Sequence, residues 1–402
     1  MNMISHLLEW SNLLVRWFHF IAGVAWIGNS FYFVWLDNAL TPPEPAKKGV
    51  EGDLWMVHSG GFYQVEKRKI APGEMPKILH WFKWEATFTW LTGFVLLILV
   101  YHLHPEAYLV DPASPLSPGQ ASALGLSLPF ITWFIYDALW QSCESPPSPE
   151  KGMIGTALSF AILGGLIFGL CHLFGGRAAY IHVAAVIGTI MVLNVWVRIL
   201  PAQQKMIDAT KEGRTPDFEL GKKAKRRSMH NSYVTLPVLI IMISNHYPGT
   251  YGSHLNAWVL ICFFIAGASV RHIMIKGAVP WAIAAASLGF IAAGVLTWQP
   301  LTAQATGSLP VTGERVPFSK VQAIISSRCV VCHAVKPADP TFGPMPAGVS
   351  FEAPERIHAL AERILFRAVT TQTMPLANKT GITPEERAIL GLWVHQGASL
   401  HD

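Results

Sequence analysis

The sequence predicts an all-α chain: a polytopic membrane bundle of about eight helices over residues 1–300, a linker at 301–317 and a small soluble domain at 318–402. Three observations carry this. Apolar residue types make up 51 % of the 402 residues and charged types only 14 %, against roughly 25 % charged in a soluble domain. The mean hydropathy is +0.35. Runs of about 20 apolar residues, long enough to cross a bilayer, recur along the chain as far as residue 298 and stop there.

The spans fall near 12–36, 84–102, 125–142, 154–175, 180–200, 229–247, 254–275 and 279–298. The first is interrupted by Arg16, His19 and Asn29 and has no basic stretch before it, so it is not a signal peptide. Arg16, His19, Gly23, Trp26 and Ser30 share one helical stripe, with small residues that allow close packing. The second opens "WFKWEATFTWLTG" and carries Glu85, Thr89 and Thr92 on a stripe; the third holds Asp137 and the fifth Asn194 and Arg198. The sixth is the weakest, because it contains Pro237 and is apolar only from Val234 to Ser244. Fifteen tryptophans suit membrane interfaces.

Charge orients the bundle. The loops 37–83, 143–153, 201–228 and 276–278 hold 17 Lys and Arg, while the loops on the other side hold only Arg177. By the positive-inside rule the crowded side is cytoplasmic, which puts the N-terminus and everything after residue 300 outside. The net charge of +5 is then mostly a topology signal, and the run "KKAKRR" at 222–227 is no call for nucleic acid.

Between 297 and 318 the helical period is lost and Thr, Gly, Pro and Ser rise, as in a linker. Beyond it stands Cys329-Val330-Val331-Cys332-His333, the attachment pattern for c-type haem. Two thiols a helical turn apart can each form a thioether to one porphyrin, and the adjacent His333 is then held under the iron. Zinc would need a second ligand pair, and a disulfide leaves His333 unexplained. Cys143, Cys171 and Cys262 sit in or beside spans as small apolar residues. The stretch "TTQTMPLANKTGITPEERAILGLWVHQGA" at 370–398 resembles the end of class I cytochromes c, which makes Met374 the expected second axial ligand and Met345 its competitor. Methionine–histidine ligation raises the reduction potential and suits electron transfer.

Ionisable groups inside spans are costly and point to function. His19, His182 and His246 lie toward the outer half and are candidate ligands for a b-type haem. At the cytoplasmic side His58, Glu85, Arg198, His230 and Asn231 suggest a polar pocket. Arg198, His230 and Asn231 suit a planar, nitrogen-rich anion, and His58 or Glu85 could take its proton. Helix-end anchors and salt bridges would explain the same residues.

Four segments, "GDLWMVHSGGFYQVEK" (52–67), "LHWFKWEATFTWLTG" (79–93), "NVWVRILPAQQKMI" (194–207) and "MHNSYVTLPVLIIMISNHYP" (229–248), resemble the membrane-bound, cytochrome-c-linked urate oxidases, the bacterial urate hydroxylases of the PuuD type. The resemblance implies oxidation of urate to 5-hydroxyisourate in purine catabolism. It also implies that electrons pass to the cytochrome and not to dioxygen, so no hydrogen peroxide forms. The expected setting is the bacterial inner membrane with the cytochrome domain in the periplasm, and an external cytochrome or terminal oxidase as acceptor. The competing readings are a quinol-oxidising cytochrome subunit and a haem-linked transporter or redox sensor.

Overall fold

The computed structural model describes residues 3–71, 74–111, 114–144, 147–298, 315–339 and 345–401. The linker expected at 301–317 lies, for 301–314, outside the described residues. The chain is mostly helical. In order it forms α1 (Met3–Ala39), a hairpin of β1 (Val50–His58) and β2 (Gly61–Arg68), α2 (Trp84–Leu97), a short α3 (Pro105–Tyr108), α4 (Pro118–Cys143), α5 (Pro149–Leu173), α6 (Gly176–Leu193), α7 (Leu200–Lys211), α8 (Phe218–Ser244), α9 (Pro248–Tyr251), α10 (Asn256–Lys276) and α11 (Pro280–Thr297). Helices Phe318–Arg328 and Pro384–His395 frame the C-terminal unit.

Among the described residues seven helices are long and apolar enough to cross a membrane. α8 is the eighth helix of the bundle, and it is not among them because only its second half, from Val234 to Ser244, is apolar. Local chemistry sets several starts. α4 opens with Pro118 in its first turn and a capping box: Ser117 Oγ accepts from the Gln120 amide at 3.3 Å and the Ser117 amide donates to Gln120 Oε1 at 3.0 Å. α5 opens with Pro149 behind Ser148, whose hydroxyl accepts from the Lys151 amide at 3.1 Å.

α6 is the central helix. Ala178, Ala179, Tyr180, Val183 and Ala184 are fully buried in a core that also takes in Ile167, Leu170, Ile241 and Leu260. The outer helices instead leave large apolar side chains uncovered, such as Trp17, Phe20, Phe134, Phe160 and Ile291. A bundle with polar groups gathered inside and apolar rings outside is what a lipid solvent selects. Pro237 leaves α8 with one backbone donor fewer. α10 packs tightly there, for a Cβ on Gly267 would lie 2.8 Å from Pro237 N.

The β-hairpin corrects the all-α expectation. Its strands pair antiparallel around Ser59 and Gly60, both at positive φ (49° and 77°), the pattern of a tight hairpin turn. It is tied to the end of α1 by the Asp53 amide, which donates to Thr41 O at 2.8 Å.

The C-terminal unit has its own core of Val321, Ile325, Ile357, Leu390 and Trp393. Its last helix starts in a second capping box, Thr383 with Glu386. Glu386 also holds Arg328 through a forked pair of bonds at 3.0–3.1 Å. This unit docks on the bundle end formed by α3 and α9, where a Cβ on Gly252 would meet Thr371 Cβ at 2.8 Å.

Candidate functional site

A cavity of about 930 Å³ opens among α1, α6, α7, α8 and the loop before α2. Its walls combine the rings of Trp26, Phe33, Trp81 and Phe82 with the polar groups of Asn29, Gln203, Ser228 and Asn231. Lys67, Lys225 and Lys276 line it against one carboxylate, Asp37. Lys225 Nζ bonds Asp37 Oδ2 at 2.8 Å, and Lys67 bonds the other oxygen of the same group. The hairpin is what carries Lys67 to this rim. Formal charge at the mouth is therefore positive, and the aromatic walls with interleaved amides suit a flat, polar, anionic ring.

Behind this cavity lies a buried polar cluster. Asn194 Nδ2 donates to Asn231 Oδ1 at 3.0 Å and to Tyr136 Oη at 3.2 Å, while Asn231 Nδ2 donates to Met191 O at 2.9 Å. Asn194 begins a π-helical stretch, Asn194–Ile199, that continues α6. Such a bulge re-aims side chains and is frequent at functional positions. Tyr136 Oη also sits 2.8 Å from His230 Nδ1, and the His230 ring rests against Trp140.

The residues expected for the site are not brought together as a set. Asn231 lines the cavity. Arg198 instead pairs with Asp137: its Nε donates to Oδ1 at 2.8 Å and its Nη2 bonds Oδ2. Asp137 is shared with Arg227, which is only 1 % exposed and lies 3.4 Å from Asp137 Oδ1 and 3.5 Å from Glu144 Oε1. The physical reason is burial: a carboxylate inside the bundle needs a cation, and Arg198 is in reach. His230 belongs to the Tyr136–Trp140 packing. Glu85 stands in the first turn of α2, 3.5 Å from Asn29 Nδ2. His58 closes β1 at the exposed hairpin tip, away from the lining, and the histidine at the cavity wall is His80. Sequence reasoning missed His80, Lys67, Lys225 and Gln203, because elements far apart in the chain bring them together.

A second cavity, about 360 Å³, lies in the C-terminal unit where it meets the bundle. Cys329, Cys332, His333 and Met374 all line it; Met345 does not. His333 Nδ1 contacts Val349 O at 3.2 Å, which leaves Nε2 as its available nitrogen. Burial pushes the Cys329 thiol up to about 12, raises that of Cys332 and lowers the His333 imidazole. Arg387 braces the methionine segment by donating to Met374 O at 2.8 Å. Two thiols, an imidazole and a thioether around one cavity form a set able to hold a cofactor.

The two cavities lie at opposite ends of the same helices. Arg177 lines the second and Met191 the first, 14 positions apart on α6, which is about 21 Å of helix. Between them, His19, His182 and His246 each have different surroundings. His19 Nδ1 sits 2.9 Å from Thr89 O and 3.1 Å from Thr92 Oγ1. His246 is exposed in the turn after α8. His182 finds its partner in His102 instead, with the two Nε2 atoms 3.2 Å apart beside Gly125. Among the described residues no group of three or more His, Cys, Asp and Glu is arranged to hold a metal ion.

Comparison with known families gives one match, to a family model described as urate oxidase, N-terminal, over residues 5–299. No curated protein and no solved structure matches the chain.

Proposed function

The chain belongs to the urate oxidase N-terminal family, and from that membership we propose that it oxidises urate to 5-hydroxyisourate at the 930 Å³ cavity, with the electrons leaving through a c-type haem in the C-terminal unit. The observation that carries the reading is this cavity: an aromatic, amide-lined space with a cationic rim, inside the family-matched segment. Urate is flat, rich in amide edges and anionic at neutral pH.

Asn231 and Gln203 are the proposed hydrogen-bonding partners of the purine edge, and Trp26 and Trp81 offer faces to stack on. Lys67 and Lys225 attract and hold the anion. His80 takes the proton-accepting role expected of His58, with Glu85 acting through Asn29 as the alternative. The balance is urate plus water giving 5-hydroxyisourate, two electrons and two protons. Dioxygen is not consumed and hydrogen peroxide is not made.

The residues of the second cavity fit a haem. Cys329 and Cys332 would bind it covalently, and His333 and Met374 would flank the iron; all four line one space. Such a group, when bound, supplies one-electron chemistry at the raised potential of methionine–histidine ligation. No step is derived through a b-type haem, for which His19, His182 and His246 remain the residues the sequence offers. The proposed setting is a bacterial inner membrane, basic loops inside and C-terminal unit in the periplasm, with an external cytochrome or terminal oxidase as final acceptor. The long apolar helices and the charge bias support it.

The test is turnover without dioxygen. Purified full-length protein given urate and ferricyanide in labelled water should form 5-hydroxyisourate carrying the water oxygen. Strict dependence on dioxygen, with peroxide appearing, would overturn the reading.

A further inference from the structure

The second cavity is not closed by the C-terminal unit alone. Tyr108, Arg177, Asn245 and Tyr251, all from the membrane bundle, complete its wall. The docking behind this is tight at Gly252, where a Cβ would lie 2.8 Å from Thr371 Cβ, and Phe366 rests within contact distance of Gly249.

The charge of the wall is one-sided. Arg177, Arg328, Arg363, Arg367 and Lys379 line the cavity, and among the described residues no Asp or Glu does. Arg328 is neutralised by Glu386 at 3.0 Å and Lys379 by Asp339 at 2.5 Å. Among the described residues no carboxylate lies within ion-pair distance of Arg177. Its partners are neutral: Nε donates to Asn245 Oδ1 at 3.2 Å, and the guanidinium lies 6.0 Å from the Tyr101 ring centroid. Nor does its charge serve its own helix, for it stands in the first turn of α6, where the dipole disfavours a cation. A half-buried guanidinium aimed at a cavity without acids asks for an anionic ligand.

We propose that Arg177 of the membrane bundle binds a carboxylate of the cofactor held in the C-terminal unit, so that the cofactor site is built across the interface and its reduction potential depends on docking. This rests on the c-type haem reading above, and it identifies a positioning residue in the bundle for that group. A porphyrin with two ionised propionates is the kind of ligand that matches this wall. A fixed positive charge beside the group favours its reduced form, because the oxidised iron carries one more positive charge. Removing Arg177 therefore lowers the potential.

The experiment uses the full-length holoprotein. Arg177→Gln and Arg177→Lys are compared with wild type by covalent haem on a denaturing gel and by a spectroelectrochemical titration. All three should keep covalent haem. Arg177→Gln should shift the reduction equilibrium about tenfold toward the oxidised form, a fall of about 59 mV for a one-electron couple. Arg177→Lys should recover most of it. A wild-type potential in Arg177→Gln with full haem content would overturn the assignment, as would a fall of equal size in Arg177→Lys, which would mark a packing role. Wild-type protein without covalent haem would overturn the cofactor reading itself.

Discussion

Arg198 was the residue from which the sequence most suggested substrate binding, and the structure makes it a brace. The perturbation that separates the two roles is Asp137→Asn. In the native arrangement Asp137 is 6 % exposed and bonds both nitrogens of the Arg198 fork, while Arg227, 1 % exposed, leans on the same carboxylate at 3.4 Å. The neutral amide leaves Arg198 without its acid and leaves Arg227 only Glu144. Removing one partner of a buried ion pair costs about 3–5 kcal/mol. For a bundle of this length that corresponds to a fall on the order of 10 °C in the unfolding midpoint. Tryptophan fluorescence of the detergent-solubilised protein during heating reads it directly. Replacing both partners together, Asp137→Leu with Arg198→Met, should recover much of the loss, because no uncompensated charge stays behind. Arg198→Lys should likewise lower stability and leave the urate concentration for half-rate near wild type. An Asp137→Asn protein with an unchanged midpoint, or an Arg198→Lys protein of full stability needing tenfold more urate, would refute the brace.

Asn231→Ala should weaken urate binding, since one neutral hydrogen bond of about 0.5–1.5 kcal/mol is lost, a few-fold to about tenfold in half-rate concentration; urate titration of the initial rate checks it. Gly252→Ala should loosen the C-terminal unit from the bundle, because the new Cβ would lie 2.7 Å from Pro248 O and 2.8 Å from Thr371 Cβ; protease accessibility should rise around residues 366–371. Partial burial works against ionising Glu386, yet the Arg328 guanidinium and the Thr383 amide hold its carboxyl below the usual range. That stabilisation is complete above the ordinary glutamate pKa of about 4.3 and is lost as the pH falls through the lower folded value. Arg328→Met should therefore flatten the acid limb of the stability curve of the C-terminal unit, measured as pH-dependent unfolding.

The helices were legible because long apolar runs leave a coarse signature in a sequence. α8 was the hardest to read, since its first half is basic and its second half alone is apolar. In the C-terminal unit, Cys329, Cys332, His333 and Met374, which the sequence singled out, line one cavity. The hairpin lies in a segment whose charge dominates its sequence pattern, and only Ser59-Gly60 between alternating strands carries a turn signal. The larger cavity was not legible as a set. Lys67 and Lys225 meet at Asp37 across 30 and 188 residues of sequence. Arg198 and Asp137 are 61 residues apart and His102 and His182 80. No local period encodes such meetings. Asn231 stood out in the sequence because an amide inside an apolar run is costly unless paired, and its partner, Asn194, lies 37 residues away.

The most direct measurement of the central claim is an anaerobic visible spectrum of the purified full-length protein, taken before and after urate and then after a quinol. The account predicts that urate alone reduces the covalent haem, at the rate at which 5-hydroxyisourate forms. Haem that stays oxidised with urate and is reduced by the quinol would contradict it.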